Sequence, residues 1–372
     1  MNKKRFMKGN EAIGEAAIRA GCKAYYGYPI TPQNELTAYM AKNMPELDRV
    51  FIQTESEITA INAVLGSSAA GFRSMTSSAG TAMALKQEGI AHMAYLEMPG
   101  VIVDMMRGGP GLGNVLSTQG DYNMATKGGG TGDYHTIVLA PNSVQEAADL
   151  TRLAFELADK YRNPALILAD GTIGQMMETV EFPAPLSPED RPEKDWALSG
   201  CAGRAPRKAE PKNSADDLEA HNIHLQKKYA QVLKNEIRSE SICTGDAELV
   251  VVAFGSVSRI AAAMLEDLRE RGYKIGLFRP VTLWPFDEEG LRKAAAKARA
   301  VVVLEYNAGM LARDVRLFLQ GKCPVYFHGR LGGSIIDEDT VGEKIKAIMD
   351  GGNAQTWEEL NGQQGIWKTY LS

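Results

Sequence analysis

Short apolar runs rich in β-branched residues alternate with segments of helical period over residues 10–180. This alternation is typical of a parallel sheet covered by helices. It predicts six strands, at 23–28, 50–54, 72–77, 100–106, 136–140 and 165–169. It also predicts helices at 11–20, 33–43, 56–70, 81–95 and 143–161, several of which begin at Ser, Thr or Asn. One domain is therefore expected over residues 1–182.

The pattern fails between residues 183 and 245. Four prolines come first, Pro183, Pro185, Pro188 and Pro192, and a charged tract over 207–240 follows them. This composition predicts a linker with one amphipathic helix near 217–238.

A second alternation follows the linker. It predicts strands at 248–254, 274–278, 300–305 and 324–328, and helices at 257–272, 286–298, 308–319 and 340–349. Residues 246–372 are therefore expected to form a smaller domain. The expected fold class is α/β, with two parallel-sheet domains.

Composition excludes several functions. The chain has 372 residues, 44% of them hydrophobic and 23% charged, which is ordinary for a globular protein. Its net charge of -5 gives no positive field for nucleic acid or an anionic membrane. No apolar run approaches the ~20 residues of a membrane span, and no apolar segment of an export signal follows the basic start. We therefore expect a cytoplasmic protein.

The cysteines and histidines predict no metal site in this chain. Cys22, Cys201, Cys243 and Cys323 form no CxxC pair, so neither a zinc nor an iron-sulfur cradle is expected. The five histidines have no ligand spacing, and His221 and His224 are better explained as a solvated pair on a helix.

The first of three candidate loops follows the strand at 23–28, and ligands gather at the carboxyl ends of strands in open parallel sheets. In Gly27–Pro32, two prolines stiffen the turn and hold the Thr31 hydroxyl at the strand end. An ordinary strand-to-helix turn with Thr31 near an N-cap is the simpler explanation of the same residues.

The second loop leads through Ser56 and Glu57 into a predicted helix. Ser56 is a candidate N-cap, which puts Glu57 in the first turn, where the helix dipole favours a carboxylate. An isolated glutamate in such a position is usually solvated. The small residues over 60–71 instead indicate a closely packed helix, which would bury Glu57 in part.

The third loop, Met106–Gly113, is rich in glycine and follows an apolar strand. It is neither a P-loop nor a GxGxxG turn in register, so a mononucleotide or NAD site is not favoured. Arg107 could hold a carboxylate through its planar two-pronged donor, or it could be a surface arginine at a flexible turn. Further glycines over Gly128–Asp133 make another loop, suited to a lid or to a subunit contact.

Together, Tyr28–Pro32, Thr54–Glu57 and the Arg107 loop, in this order and at these separations, resemble the alpha subunit of the 2-oxoacid:ferredoxin oxidoreductases. The likeness covers nearly the whole chain. Phe278–Pro280 and Leu304–Gly309 look like the transketolase C-terminal-type domain of that subunit.

Two further sequence segments look closest to those of the branched-chain, 2-oxoisovalerate-type members of this family, namely Met7–Ala12 and Lys86–Gly89. The 2-oxoglutarate type is the near neighbour. The resemblance implies that residues 1–182 bind the pyrimidine half of thiamine diphosphate and that residues 246–372 form the transketolase C-terminal-like domain.

The same resemblance assigns roles to residues. Glu57 matches the glutamate that hydrogen-bonds the aminopyrimidine ring of thiamine diphosphate. Thr31 and Arg107 match positions near the substrate carboxylate and the reacting carbon, and Pro29 and Ile30 would pack beside the cofactor. Thr131 stands where many relatives carry a histidine, so no imidazole role can be assigned there.

The family marks its diphosphate domain with a GDG motif, and the nearest sequence here, Ala169-Asp170-Gly171, lacks the first glycine. The resemblance therefore implies a beta subunit that carries the diphosphate and Mg²⁺ site. It also implies iron-sulfur clusters on partner chains, gamma and ferredoxin-like delta subunits, and ferredoxin, CoA and a 2-oxoacid as reaction partners.

The function expected from the resemblance is oxidative decarboxylation of a branched-chain 2-oxoacid to an acyl-CoA, with electrons passed to ferredoxin. The same reaction on 2-oxoglutarate is the first alternative, and a non-catalytic scaffold subunit is the second. Thr31, Glu57 and Arg107 at three separate strand ends speak against a scaffold. A transketolase-like enzyme would need the missing diphosphate motif in the same chain.

Overall fold

The computed structural model describes residues 4–187, 189–190, 192–209 and 212–351. Pro188 of the predicted linker and residues 352–372 of the predicted second domain lie outside the described residues. The strands are β1 (Arg5–Lys8), β2 (Ala24–Gly27), β3 (Val50–Gln53), β4 (Ser74–Ser78), β5 (Gly100–Met106), β6 (Ile137–Leu139), β7 (Pro164–Asp170), β8 (Met177–Val180), β9 (Ser239–Ile242), β10 (Leu249–Val252), β11 (Ile275–Pro280), β12 (Thr282–Trp284), β13 (Ala300–Glu305) and β14 (Val325–Gly329).

The helices connect and cover these strands. They are α1 (Gly9–Arg19), α2 (Asn34–Glu46), α3 (Glu57–Ala69), α4 (Thr81–Ala84), α5 (Gln87–Tyr95), α6 (Tyr122–Lys127), α7 (Val144–Tyr161), α8 (Gly171–Gln175), α9 (Ala215–Asn235), α10 (Gly255–Glu270), α11 (Glu288–Ala294), α12 (Met310–Leu319) and α13 (Glu338–Met349). Strands and helices alternate as predicted, which confirms the α/β fold class.

The first sheet has seven strands in the order β12-β6-β7-β5-β4-β2-β3. The six predicted strands are parallel, whereas β12 runs antiparallel to β6 and comes from far along the chain. The hydrophobic pattern did not predict this seventh strand. The strands β5 and β7 at the middle of the sheet are fully buried, which explains their continuous apolar sequence.

The helices α1, α2 and α7 bury one face of this sheet, with Ile13, Leu36 and Phe155 in the packed cluster. On the other face, a cluster runs without a break from Ile61 and Ile90 to Phe278 and other side chains of the second sheet. The two sheets therefore share a hydrophobic core.

The second sheet has the order β14-β13-β10-β11-β9, parallel except for β9. The region predicted as a linker contributes β9 to this sheet and also contains the expected helix, as α9. On α9, Leu225, Tyr229 and Val232 are buried. This region therefore packs as part of the folded body.

Polar contacts join the carboxyl ends of the two sheets. Gln119 exchanges hydrogen bonds with the Tyr306 backbone, from Gln119 N to Tyr306 O at 2.9 Å and from Tyr306 N to Gln119 Oε1 at 3.1 Å. Its amide also donates to Phe254 O at 2.8 Å. Among the described residues, no helix has both the length and the apolar character to cross a bilayer.

Candidate active site

The neighbouring strands β5, β4, β2 and β3 end side by side at the carboxyl edge of the first sheet. The loops that leave these ends carry Arg107, Gly80, Thr31 and Glu57 in that spatial order. The parallel arrangement thus brings the three predicted site residues to one edge, with a glycine between them.

Arg107 and Thr31 are in direct contact. Arg107 is 8% exposed, and its Nη1 donates to the Thr31 carbonyl at 3.0 Å while its Nη2 donates to the Leu112 carbonyl at 3.2 Å. A guanidinium has five N–H donors, so others remain for an anionic ligand. The Thr31 side chain is exposed and accepts from Asn34 Nδ2 at 3.1 Å. Arg107 is therefore held in place and is not a loose surface side chain.

Gly80 allows this close packing. Its φ is +51°, and a Cβ there would lie 2.9 Å from Arg107 Cγ. A residue with a side chain would be strained and would push Arg107 away from Thr31.

Two carboxyls that interact with each other, those of Asp104 and Asp121, were not predicted as site residues from the sequence, and the charge of Arg107 acts on Asp121. Asp104 on β5 is fully buried, and neither carboxyl oxygen has a hydrogen-bond partner among the described residues. Burial raises the pKa of Asp104 well above its usual range, and the nearby charge of Asp121 adds to this. Burial also raises the pKa of Asp121 to about 6, although the Gly80 amide and the Arg107 charge oppose the rise. For Asp104, the sequence signal was a carboxylate within the otherwise apolar strand β5.

Glu57 begins α3 and is 7% exposed. The predicted cap is present, since Ser56 Oγ accepts from Thr59 N at 3.2 Å. Thr54 N donates to Gly27 O at 2.9 Å and thus fixes the Glu57 loop beside the Tyr28–Pro32 turn. Among the described residues, no side chain donates a hydrogen bond to the Glu57 carboxylate. The buried Glu57 side chain is therefore available as an acceptor, and in the neighbouring turn Pro29 is exposed and Ile30 is half-buried.

Lys86 is a third residue that sequence reasoning missed as part of the site. It lies between α4 and α5, where the predicted single helix over 81–95 is broken, and it is fully buried. Its Nζ donates to Thr76 Oγ1 at 3.1 Å and to the Glu57 carbonyl at 3.4 Å. A lysine within an apolar segment was the only sequence signal.

The Gly128–Asp133 loop packs against the same region. Gly129 N donates to Gln87 Oε1 at 3.1 Å, and Gly130 N donates to Tyr134 Oη at 3.0 Å. The loop is thus tethered to α5, next to Lys86. A cavity of about 1060 Å³ lies between this loop and α9, and Thr31, Glu57 and Arg107 do not line it.

The residues present fit the pyrimidine half of thiamine diphosphate and not its diphosphate half. Glu57 offers a buried acceptor for the pyrimidine ring, beside the Tyr28–Pro32 turn. The nearest match to a diphosphate motif, Ala169-Asp170-Gly171, has its carboxylate occupied by bonds within this chain. Asp170 accepts from Ile173 N at 3.2 Å and from Ser256 N at 3.0 Å. In the described part of the chain, no group of three His, Cys, Asp or Glu side chains could hold a metal ion.

Comparison with protein families agrees with this geometry. Residues 15–236 match the family described as pyruvate flavodoxin/ferredoxin oxidoreductase, thiamine diphosphate-binding, and residues 247–341 match pyruvate:ferredoxin oxidoreductase core domain II. These matches define the class of the protein, a subunit of a thiamine diphosphate-dependent 2-oxoacid oxidoreductase. The chain belongs to the 2-oxoacid:ferredoxin oxidoreductase family.

Its relatives span the same length. Ketoisovalerate oxidoreductase subunit VorB of Methanothermobacter marburgensis is 46% identical over 94% of this chain and 99% of its own length. The 2-oxoglutarate synthase subunit KorA of Methanocaldococcus jannaschii is 36% identical over 90% of this chain and 96% of its own.

A solved structure has a similar fold. The 2-oxoglutarate:ferredoxin oxidoreductase from Magnetococcus marinus, solved with 2-oxoglutarate, coenzyme A and succinyl-CoA bound, superposes with a TM-score of 0.82 at 26% identity. The match covers 93% of this chain and 65% of that chain. The present chain thus corresponds to about two thirds of that polypeptide.

Proposed function

We propose that this chain is the alpha subunit of an oxidoreductase that converts a branched-chain 2-oxoacid, 2-oxoisovalerate, to its acyl-CoA and passes the electrons to ferredoxin. The observation that carries the proposal is the 46% identity over 94% of the chain to a ketoisovalerate oxidoreductase subunit. The 2-oxoglutarate synthase subunit of Methanocaldococcus jannaschii is only 36% identical to this chain.

The proposed roles of the site residues are those that the family resemblance implies, and the placement of these residues at one edge of the sheet supports them. Glu57 accepts a hydrogen bond from the pyrimidine ring and exchanges a proton with it. Arg107 binds the substrate carboxylate through its remaining N–H donors, and Thr31 packs beside the reacting carbon. Thiamine diphosphate, when bound, supplies the carbanion chemistry that cleaves the bond to the carboxylate.

A beta subunit is proposed to hold the diphosphate and Mg²⁺, since both oxygens of Asp170 are already bonded within this chain. Iron-sulfur clusters are assigned to partner chains because the four cysteines lie far apart in sequence. Gamma and ferredoxin-like delta subunits and CoA complete the proposed assembly. Four unpaired cysteines also suit the reducing cytoplasm.

The test is to purify the native assembly and rank 2-oxoacids by kcat/KM with ferredoxin or a viologen as acceptor. We expect 2-oxoisovalerate and other branched-chain acids to rank first. A preference for 2-oxoglutarate would overturn the substrate while leaving the reaction class intact.

A further inference from the structure

Asn10, in the first turn of α1, is a buried amide that contacts the Tyr28–Pro32 turn. It is 0% exposed, and its Nδ2 donates to the Pro32 carbonyl at 2.8 Å. Its Oδ1 has no hydrogen-bond partner among the described residues. A buried acceptor without a partner is unfavourable, and an apolar side chain of the same size would avoid it. The amide at this position is therefore explained by its donor, which reaches Pro32.

The Pro32 carbonyl accepts from a second side-chain amide. Gln175, the last residue of α8, donates to it from Nε2 at 3.1 Å. Gln175 is in turn oriented by Lys8, whose Nζ donates to Gln175 Oε1 at 3.0 Å. Two donors from two different helices thus fix the direction of one carbonyl at the end of the turn.

Two glycines let α1 and α8 come close enough for both amides to reach Pro32. A Cβ at Gly9 would clash with the Ile173 carbonyl oxygen of α8, and a Cβ at Gly174 would lie 3.0 Å from Asn10 Nδ2. A side chain at Gly9 would therefore push α1 away from α8. Gly9 and Asn10 are neighbours in the Met7–Ala12 segment, and the contacts with α8 and Pro32 give both residues a common purpose.

Pro32 directly follows Thr31, whose carbonyl accepts from Arg107 Nη1 at 3.0 Å. Two successive carbonyls are thus held by different elements, and the exposed Thr31 side chain lies between these two anchors. We propose that Asn10 is a positioning residue, which holds the Thr31 hydroxyl beside the reacting carbon by anchoring the Pro32 carbonyl. The catalytic consequence rests on the function proposed above, whereas the anchoring of the turn does not.

Asn10→Leu tests the anchoring, because it keeps the approximate size of the side chain and removes the donor. Amide hydrogen exchange of residues 28–34 in the assembled complex should rise. The value of kcat/KM for the 2-oxoacid should fall by roughly 10-fold to 100-fold, since a small misplacement of a group beside the reacting atoms is costly. Unchanged exchange in the folded variant would overturn the proposal.

Asn163→Leu is the matched control. Asn163 is also 0% exposed, its Oδ1 also lacks a partner among the described residues, and its Nδ2 donates to the His135 carbonyl at 2.9 Å. It precedes β7, at the end of the sheet opposite to the candidate site. This variant should lose stability and leave both kcat/KM and the exchange of residues 28–34 unchanged. The same changes in both variants would mean a general loosening of the fold, and would also overturn the proposal.

Thr31→Val separates positioning from a general structural effect, because it removes the hydroxyl that Asn10 is proposed to place. In that background Asn10→Leu should lower kcat/KM little further, since the effects of residues that act as a unit are not additive. If the two losses multiply in full, Asn10 does not act through Thr31 and the proposal fails.

Gln175→Met removes the other donor to Pro32 and serves as a second variant if Asn10→Leu does not fold. Gln175 is only half-buried, and its replacement should change exchange and kcat/KM in the same directions. If exchange rises but Thr31→Val by itself leaves kcat/KM unchanged, the anchoring stands and the proposed role of Thr31 in the reaction fails. A kinetic loss in Thr31→Val without faster exchange in Asn10→Leu or Gln175→Met would instead overturn the anchoring and leave the proposed function intact.

Discussion

A carboxylate at position 57 could serve only the helix that it begins, and Glu57→Gln separates the two roles. As a first-turn residue alone, Glu57 contributes ~0.3–1 kcal/mol to stability, and its loss would leave turnover intact. As the partner of the pyrimidine ring, its loss should slow C2 proton exchange of bound thiamine diphosphate by ~10²–10⁴-fold. Quenched hydrogen-deuterium NMR on the assembled complex measures this rate.

Glu88→Gln is the control for Glu57→Gln, since Glu88 also lies in a first helix turn but is exposed. Its exchange rate should equal the wild-type rate. Equal rates in all three proteins would remove Glu57 from the mechanism and favour a scaffold subunit.

Arg107→Ala should lower kcat/KM for the 2-oxoacid by roughly 10²-fold or more, because the substrate carboxylate loses a charged two-pronged donor. Cofactor occupancy should stay high, since Arg107 donates to the Thr31 and Leu112 carbonyls and not to Glu57, the residue assigned to the pyrimidine ring. Steady-state kinetics with the exposed Arg152→Ala as control measure the effect. Wild-type kinetics in Arg107→Ala would show that this arginine only braces two loops.

The carboxyl of Asp121 makes stability depend on pH. Burial raises its pKa to about 6 in the folded chain, so the folded state binds the proton more tightly than the unfolded state. The stability from this group is full below pH 4 and is lost as pH rises through about 6. Asp121→Asn removes this loss, so its stability advantage over wild type in urea unfolding should grow as pH rises from 4 to 7.5. A constant difference would contradict the assignment.

The sequence was enough to predict that Thr31 and Arg107 lie at the same edge of the sheet, because both residues follow parallel strands and parallel strands end at one edge. Lys86, Asp104 and Asp121 could not be found in this way. Their roles depend on which side chains face them from other elements, and the local sequence does not show those side chains.

At the scale of elements, α8 and α10 depend on one carboxylate at the end of β7. Asp170 accepts from Ile173 N in α8 and from Ser256 N in α10, and so joins the amino ends of two helices. Asp170→Asn would turn an N–H donor toward one of these amides, and we expect it to cost ~1–3 kcal/mol of unfolding free energy in urea.

Ser143→Ala removes an ordinary cap, on α7, and provides the comparison for Asp170→Asn. It should cost ~1 kcal/mol and leave the contact between the two sheets unchanged. Amide hydrogen exchange near Ser256 should rise in Asp170→Asn alone. Unchanged exchange there would restrict Asp170 to the capping of α8.

The parallel strands of this fold were predictable, whereas the antiparallel strands β1, β8, β9 and β12 were not. The strands β5 and β7 have seven residues each and are buried throughout, so their apolar runs stand out. The antiparallel strands β1, β8, β9 and β12 have three or four residues, too few for a pattern of period two to emerge. The break between α4 and α5 was also missed, because Leu85 and Lys86 are good helix formers.

At the scale of the whole molecule, β12 ties the second half of the chain into the first sheet. Trp284 stacks on His135 with ring centroids 4.4 Å apart and contacts Tyr229 of α9. Trp284→Ala should therefore destabilise the first sheet by roughly 3 kcal/mol. Hydrogen exchange should rise in β6 and α9, although both precede residue 284. A rise confined to residues 246–351 would show that the two halves unfold independently.

The same strand also sets an order of events during synthesis. The ribosome releases Ile137–Leu139 long before Thr282–Trp284, which pair with these residues. At cellular elongation rates the delay is on the order of ten seconds. Throughout this interval the nascent chain presents an open strand edge, the kind of surface on which chains aggregate. Ribosome-associated chaperones that shield nascent chains should therefore protect this protein from aggregation most strongly while residues 140–284 are being translated.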